Sequence, residues 1–144
     1  MIRSGPSLPC RCSRTEDEKT GRRESQTLRL AFYIHRTADF SGVPAALLQD
    51  AGVVSGLLVA AAGAAGFSSA AAPTVRQRGN EGVTAILILE AEGCHLAAHT
   101  FPQRELLLLD VLVPTGHDTD KAVDVFIRKL GARTVASGRM ERGA

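Results

Sequence analysis

The chain has 144 residues, which suits a single domain, since one hydrophobic core usually serves about 100–200 residues. Hydrophobic residues make up 44% and the net charge is +2, a composition typical of a globular protein and unlike that of a disordered chain. The net charge is too small for the basic surface that a nucleic-acid-binding protein usually has. Five Phe, one Tyr and no Trp also provide few aromatic rings on which bases could stack, so we expect no nucleic-acid partner.

The chain opens with a segment that has no hydrophobic period. Residues 1–27 are polar and contain Pro and Gly, which predicts a disordered extension before a folded domain over residues 28–144. The domain begins with a predicted strand over residues 28–34 and a turn over residues 39–42. Apolar residues then recur at three- and four-residue steps, which predicts one helix over residues 44–65.

The middle of the chain predicts a β-meander. A strand is expected over residues 67–75, followed by a charged loop over residues 76–82. Three apolar runs with hairpin-length connections then predict strands over residues 83–89, 95–100 and 106–113. Such runs are typical of the centre of a sheet.

The last part of the chain predicts a helix, a short strand and a charged tail. Thr119 is placed to cap a helix that Gly131 closes. A short strand is expected over residues 133–137, and a charged tail follows over residues 139–144. The order β-α-β-β-β-β-α-β predicts an α+β two-layer sandwich, with one antiparallel sheet and two helices on one face. The other sheet face would then need a partner.

Cysteine usage and the N-terminal residues indicate a compartment. Three cysteines are an odd number, and Cys10 and Cys12 lie in the polar extension, which argues against a disulfide framework. No apolar run follows Met1, so we expect no secretory signal and a cytoplasmic location. Residues 51–75 are uncharged but rich in Ala, Gly and Ser, and we expect buried structure there instead of a membrane span.

One segment concentrates reactive side chains, namely Glu90, Glu92, Cys94, His95 and His99. If the segment is a strand, the two histidines share one face and the cysteine lies on the other. On a strand the two histidines would be about 13 Å apart, too far for one metal ion, so we expect no metal site. The residue types alone leave two interpretations open: hydrogen-bonded structural histidines, or a Cys–His nucleophile pair.

The pattern Glu-Gly-Cys-His-Leu-Ala-Ala-His-Thr-Phe-Pro-Gln resembles the central motif of bacterial S-adenosylmethionine decarboxylases. In that family Glu-Ser-His is followed by His-Thr-Trp-Pro-Glu, and then by a strand that bears an Asp. The matching residues are His95, His99, Thr100, Pro102 and Asp110. Phe101 stands for the family's Trp and Gln103 for its second Glu. The resemblance extends over residues 28–143.

The resemblance implies a pyruvoyl enzyme that processes itself between Gly93 and Cys94, acts on S-adenosylmethionine or a basic amino acid, and serves spermidine biosynthesis. Cys94 would be the precursor of the self-derived pyruvoyl group, which takes up the substrate amine and accepts electrons as carbon dioxide leaves. His99 would assist processing. The residues that the resemblance assigns to substrate binding are Glu92, His95 and Asp110. The family dimerises, so a homodimer, or a heteromer with a paralogue, is expected.

The sequence departs from the family where the chemistry takes place. Cys94 replaces the family's serine, and Gly93 replaces the Glu before it. The family's proton-donating cysteine falls on Pro114, which cannot donate a proton; Thr115 and His117 are the nearest candidates along the chain. These departures keep an alternative open, in which the chain is an unprocessed, catalytically inactive paralogue that binds a metabolite or pairs with an active subunit.

Overall fold

The structure, a computed structural model, describes residues 32–68, 71–89 and 93–143. These residues form one six-stranded sheet and three helices. The strands are β1 (Tyr33–Ser41), β2 (Thr74–Gln77), β3 (Val83–Ile88), β4 (His95–Phe101), β5 (Leu106–Pro114) and β6 (Thr134–Arg142). The helices are α1 (Ala45–Leu48), α2 (Ala51–Ala64) and α3 (Thr119–Leu130). The predicted α+β fold with one antiparallel sheet is confirmed.

The sheet order is β2-β3-β4-β5-β1-β6, and every neighbouring pair is antiparallel. Strands β3, β4 and β5 form the expected meander, because their apolar runs are linked by short connections. The first strand lies between β5 and β6, so the two ends of the domain meet in the sheet. This pairing places the last residues of β6 beside the first residues of β1.

The two faces of the sheet differ in what covers them. Alternating residues point toward the helices and form the core with α2 and α3, and its large, fully buried members include Phe40, Leu58, Leu87, Leu96, Leu109 and Phe126. The residues between them form the opposite face, called here the open face. Its members include Tyr33, His35, Ile86, Ile88, His95, His99, Asp110, Leu112 and Met140. No helix of the described chain covers it.

The prediction for the first strand is wrong in its position. The sequence favoured residues 28–34 as a strand and residues 39–42 as a turn, whereas β1 runs from Tyr33 to Ser41. The polar residues that suggested a turn are tolerated because β1 is paired on both sides and they lie at partly exposed positions. Arg36, another polar residue of β1, forms an ion pair with Asp120 of α3 at 3.1 Å. Residues 28–31 lie outside the described residues.

The single helix predicted over residues 44–65 is in fact two. After the short α1, the Asp50 side chain accepts hydrogen bonds from the backbone N–H groups of Gly52 and Val53, at 2.9 and 3.1 Å. An aspartate in this position caps a new helix, so the chain turns between α1 and α2. The helix ends where expected, with Gly66 in a left-handed conformation.

Both edges of the sheet also differ from expectation. The strand predicted over residues 67–75 is observed as β2 at residues Thr74–Gln77, which are all exposed. The strand predicted over residues 133–137 continues through the predicted charged tail to Arg142. Charged side chains suit an edge strand because one side of it faces solvent. The charged residues 139–142 therefore predict a tail, but pairing with β1 makes them part of a strand.

The start of α3 differs from expectation by one residue, and its end agrees. Asp118 rather than Thr119 caps α3, accepting a hydrogen bond from the Lys121 N–H at 3.1 Å, and Gly131 closes the helix as predicted. No described helix is long and apolar enough to cross a membrane. The predicted disordered extension over residues 1–27 lies outside the described residues.

Candidate functional site

The predicted scission point lies at the start of β4. Gly93 has a φ of 66°, a left-handed conformation that favours glycine, and Cys94 follows it directly. The N–H of Leu89 donates a hydrogen bond to the Cys94 carbonyl oxygen at 3.1 Å, which holds the two ends of this connection together. Glu92, predicted to bind substrate, lies outside the described residues.

The Cys94 side chain is buried on the core face of the sheet. It is 3% exposed and belongs to the same hydrophobic cluster as Leu89 and Leu96. Burial raises the pKa of the Cys94 thiol, because an apolar environment disfavours the thiolate. The side chain is therefore held as a neutral thiol around neutral pH.

A cleft of about 370 Å³ opens beside the scission point and is lined by Tyr33, Gly93, Leu112, Arg142 and Gly143. The sheet register brings these residues together, since Tyr33 pairs with Arg142 of β6. The Tyr33 hydroxyl oxygen lies 3.4 Å from the position that a Cβ on Gly93 would occupy. One peptide bond thus separates a buried thiol from a glycine on an open cleft.

Three cleft residues, Tyr33, Arg142 and Gly143, are not among the site residues that the sequence predicts. The charges of residues 139–144 predict a tail, and the apolar pattern predicts a first strand several residues before the observed β1. Had the strand been placed at its observed position, alternation would have put Tyr33 and His35 on one face with a period of two. Nothing local in the sequence indicates that β6 pairs with β1.

Pro114 lies next to this cleft, directly opposite Tyr33 in the pairing of β1 with β5. The two proton-donor candidates after it are engaged elsewhere. Thr115 Oγ1 donates to the Phe32 carbonyl at 2.9 Å. His117 Nδ1 lies 3.1 Å from the Ala65 carbonyl oxygen, and its ring stacks on Phe67 with centroids 3.9 Å apart. The structure gives both side chains a structural role at the ends of elements.

The open face carries a histidine–carboxylate pair. His35 Nε2 lies 3.0 Å from Asp110 Oδ1, and both side chains are partly exposed. Leu112, a cleft residue, pairs with His35 on one side and with His95 on the other. Asp110 and His95, which are both predicted to bind substrate, therefore lie on the same face of the sheet and near the cleft. Within the described ranges, no three His, Cys, Asp or Glu side chains form a group that could hold a metal ion.

His99 lies on the open face, whereas Cys94 points to the core. Its Nδ1 is 3.3 Å from the Thr84 hydroxyl on β3. Five residues of extended strand separate it from Cys94, a distance of about 16 Å. The structure therefore does not bring the imidazole and the thiol into contact.

Other residues of the motif hold the sheet together. The Thr100 hydroxyl donates to the Leu48 carbonyl at 2.7 Å and accepts from the Val83 N–H at 2.7 Å, and its side chain is fully buried. A Cβ on Gly82 would collide with the Thr100 carbonyl oxygen, so glycine is required there. Pro102 is also buried. Thr100 and Pro102 thus stabilise the fold and do not line the cleft.

A sequence model of the S-adenosylmethionine decarboxylase family matches residues 34–143. The chain belongs to the S-adenosylmethionine decarboxylase family. The crystal structure of the adenosylmethionine decarboxylase from Aquifex aeolicus VF5 is similar, with a TM-score of 0.71 and 24% sequence identity, over 81% of this chain and 94% of that one. No curated protein matches the chain. The suspected family and its fold are confirmed.

Proposed function

We propose that this protein is a self-processing decarboxylase that cleaves its chain between Gly93 and Cys94 and acts on S-adenosylmethionine in spermidine biosynthesis. The observation that carries the proposal is the position of Gly93 on the cleft, with the thiol of the next residue behind it. Cleavage there would leave the new N-terminus of residue 94 at the edge of a cavity that is open to a substrate. Family membership supports the reaction class.

The residues at the scission point suit the formation of a pyruvoyl group. The precursor must carry a nucleophile on its Cβ that later leaves, and the Cys94 thiol meets this requirement. Gly93 offers a carbonyl carbon with no side chain beside it. Once formed, the group would supply an electrophilic carbonyl that takes up the substrate amine and accepts electrons as carbon dioxide leaves.

The scission can be written with all atoms balanced. The Cys94 sulfur attacks the Gly93 carbonyl carbon, the C–N bond breaks, and the thiol proton ends on the amine, which gives a thioester. A base then removes the Cys94 Cα proton, and the Cβ–S bond breaks, so that Gly93 leaves as a thiocarboxylate. The dehydroalanine that remains tautomerises to an imine, and water converts the imine to the keto group with release of ammonia.

The cleft and the open face supply groups for the substrate. Arg142 would attract the carboxylate of an amino acid, and the carboxylate of Asp110 would attract its amine or a sulfonium cation. The contact with His35 holds Asp110 in place. His95, and Glu92 at the approach to the scission point, complete the proposed substrate residues. Pro114 has no proton to give, so the proton that replaces the lost carboxyl group must come from a group other than the residue at position 114.

The open face supports the proposal of a homodimer, and the odd number of cysteines supports a reducing, cytoplasmic location. Ile88 and Met140 are 68% and 62% exposed on it. They lie on β3 and β6, on either side of the strands that border the cleft. Apolar side chains exposed on an uncovered sheet face are typical of a surface that another protein covers. A second copy of the chain would cover this face, and a paralogue could do the same.

A second function is favoured by two observations, the burial of the Cys94 thiol and the proline at position 114. A thiol held neutral in the core attacks slowly, and a chain without the donor cysteine would turn over poorly even if it were cleaved. In this alternative the chain stays intact and binds a metabolite, or pairs with an active paralogue.

Intact mass measurement distinguishes the two functions. We expect the purified protein to separate into fragments spanning residues 1–93 and 94–144, and the second fragment to gain the mass of an oxime when treated with hydroxylamine. Cys94→Ala should remain whole and serves as the control. His99→Ala, in a chain that still folds, should slow scission if His99 assists processing. A wild-type chain that stays whole at every pH and temperature below unfolding would exclude the pyruvoyl enzyme and leave the alternative.

A further inference from the structure

We propose that the self-cleavage leaves Gly93 with a C-terminal thiocarboxylate that stays in the cleft and acts there as a sulfur nucleophile. The inference rests on the proposed function, since it concerns the product of scission between Gly93 and Cys94. It gives the first fragment, residues 1–93, a reactive group of its own. The ligand class that such a group takes is an electrophilic carbon that carries a leaving group.

The sulfur ends on Gly93 because residue 94 is a cysteine. In the proposed scission the Cys94 sulfur bonds to the Gly93 carbonyl carbon. When a base removes the Cys94 Cα proton, the electron pair of the Cβ–S bond goes to the sulfur, and Gly93 keeps that sulfur as a thiocarboxylate anion. A serine at position 94 would leave an ordinary carboxylate. Scission thus transfers the sulfur of a side chain that is 3% exposed to a residue that lines the cleft.

The order of the strands keeps this new chain end beside the cleft. Scission would assign β1, β2 and β3 to the first fragment and β4, β5 and β6 to the second. The two sets interlock, because β1 lies between β5 and β6 and pairs with both. The strands on either side of the scission point, β3 and β4, also pair with each other. Separation of the fragments would break all of these backbone ladders, so Gly93 stays where the intact chain holds it.

The cleft suits an anionic sulfur. Gly93 and Gly143 contribute no side chains to its lining, and its volume of about 370 Å³ leaves room for a small electrophile. Arg142 lines the same cleft and supplies a positive charge that attracts the thiocarboxylate. The Cys94 thiol of the intact chain is buried and its pKa is raised, so it is a poor nucleophile. A reactive sulfur therefore reaches the cleft as a result of scission.

The test is alkylation of the full chain with Cys10 and Cys12 replaced by serine. Cys94 is then the only cysteine of the chain, and scission converts it to the pyruvoyl group. Before alkylation, the first fragment should be heavier than the corresponding carboxylate by the mass difference between one sulfur and one oxygen atom. Iodoacetamide added to the folded, cleaved protein should lose iodide and place one acetamide group on the first fragment and none on the second. Intact mass of both fragments gives these results.

Cys94→Ser in the same background is the matched control. Its hydroxyl takes the place of the thiol, so its first fragment should end in a carboxylate and gain no acetamide group. Size-exclusion chromatography without denaturant gives a separate measurement on the cleaved cysteine chain. Its two fragments should elute together, because their strands alternate in one sheet.

The outcomes separate this inference from the proposed function. If the chain with Cys94 stays whole, both are wrong. If residue 94 becomes a keto group but the first fragment carries a carboxylate from the earliest time point, the enzyme proposal stands and the thiocarboxylate is wrong. An acetamide group on the second fragment would mean that Cys94 kept its sulfur and that water cleaved the thioester, which contradicts both. A thiocarboxylate that reacts only after unfolding would overturn its place in the cleft.

Discussion

At the scale of single residues, the Gly93 and Cys94 pair combines two opposed environments. Gly93 lies on an open cleft, and the next side chain is buried in the core. A strand alternates its side chains between faces, so adjacent residues at the start of β4 are expected to differ in this way. The consequence is chemical. The thiol is shielded from solvent and from other electrophiles, and it is poorly ionised.

This environment predicts the pH dependence of scission. The raised pKa of Cys94 means that the folded chain keeps the proton to higher pH than an exposed thiol, so the reactive thiolate is scarce at neutral pH. We expect the scission rate to increase about tenfold per pH unit from neutral into the alkaline range, because the thiolate fraction does so below the pKa. The measurement is the intact-mass time course at a series of pH values.

The control for that profile is Cys94→Ser, whose hydroxyl does not ionise in this range. Its rate should depend less on pH than that of the wild type. A flat wild-type profile would contradict the expectation and would show that thiol ionisation does not limit the first step.

At the scale of elements, the helices position the core against which Cys94 lies. Helix α2 buries Val54, Leu57, Leu58, Ala61 and Ala62, and it contacts β3 and β4 on either side of the scission point. Small alanines let the helix approach the sheet closely. The interruption between α1 and α2 depends on one capping side chain, Asp50.

We therefore expect Asp50→Ala to destabilise the fold by about 1 kcal/mol, because it leaves two N–H groups at the helix start without their acceptor. Chemical denaturation of the Cys94→Ala chain, which cannot cleave, gives the free energy of unfolding. Asp124→Ala on the exposed face of α3 is the matched control and should be close to neutral, since alanine favours a helix interior. Equal losses from both variants would argue against the cap.

At the scale of the whole molecule, the helices of residues 32–68, 71–89 and 93–143 form one layer that covers one face of the sheet. The open face holds apolar residues together with the His35–Asp110 pair, and the cleft adjoins it through Leu112. A partner on this face would approach the proposed substrate residues as well as the exposed isoleucine of β3. The proposed dimer interface and the proposed substrate residues therefore share one surface.

The homodimer proposal predicts a change of mass in solution. Light scattering after size-exclusion chromatography should give twice the chain mass of 15.2 kDa for the wild type. Ile88→Lys places a charge on the open face and should shift the protein toward the monomer, because burying an unpaired ammonium is costly. Val59→Lys, a comparable change at an exposed apolar residue of α2, should leave the mass unchanged. A wild type that is monomeric at all concentrations would contradict the proposal.

The sequence by itself determined the fold class, the meander of β3, β4 and β5, the helix α3 and the family, because these depend on continuous apolar runs, caps and a contiguous motif. It misplaced β1 and β6, whose polar residues are stabilised by pairing with strands that are distant in sequence. It also misplaced β2, a short and fully exposed strand that pairs with β3, the next strand along the chain. Only the tertiary structure decided that Tyr33 and Arg142 meet Gly93, and that Cys94 faces the core. The physical reason is that alternation and propensity act over a few residues, whereas sheet register joins segments from opposite ends of the chain.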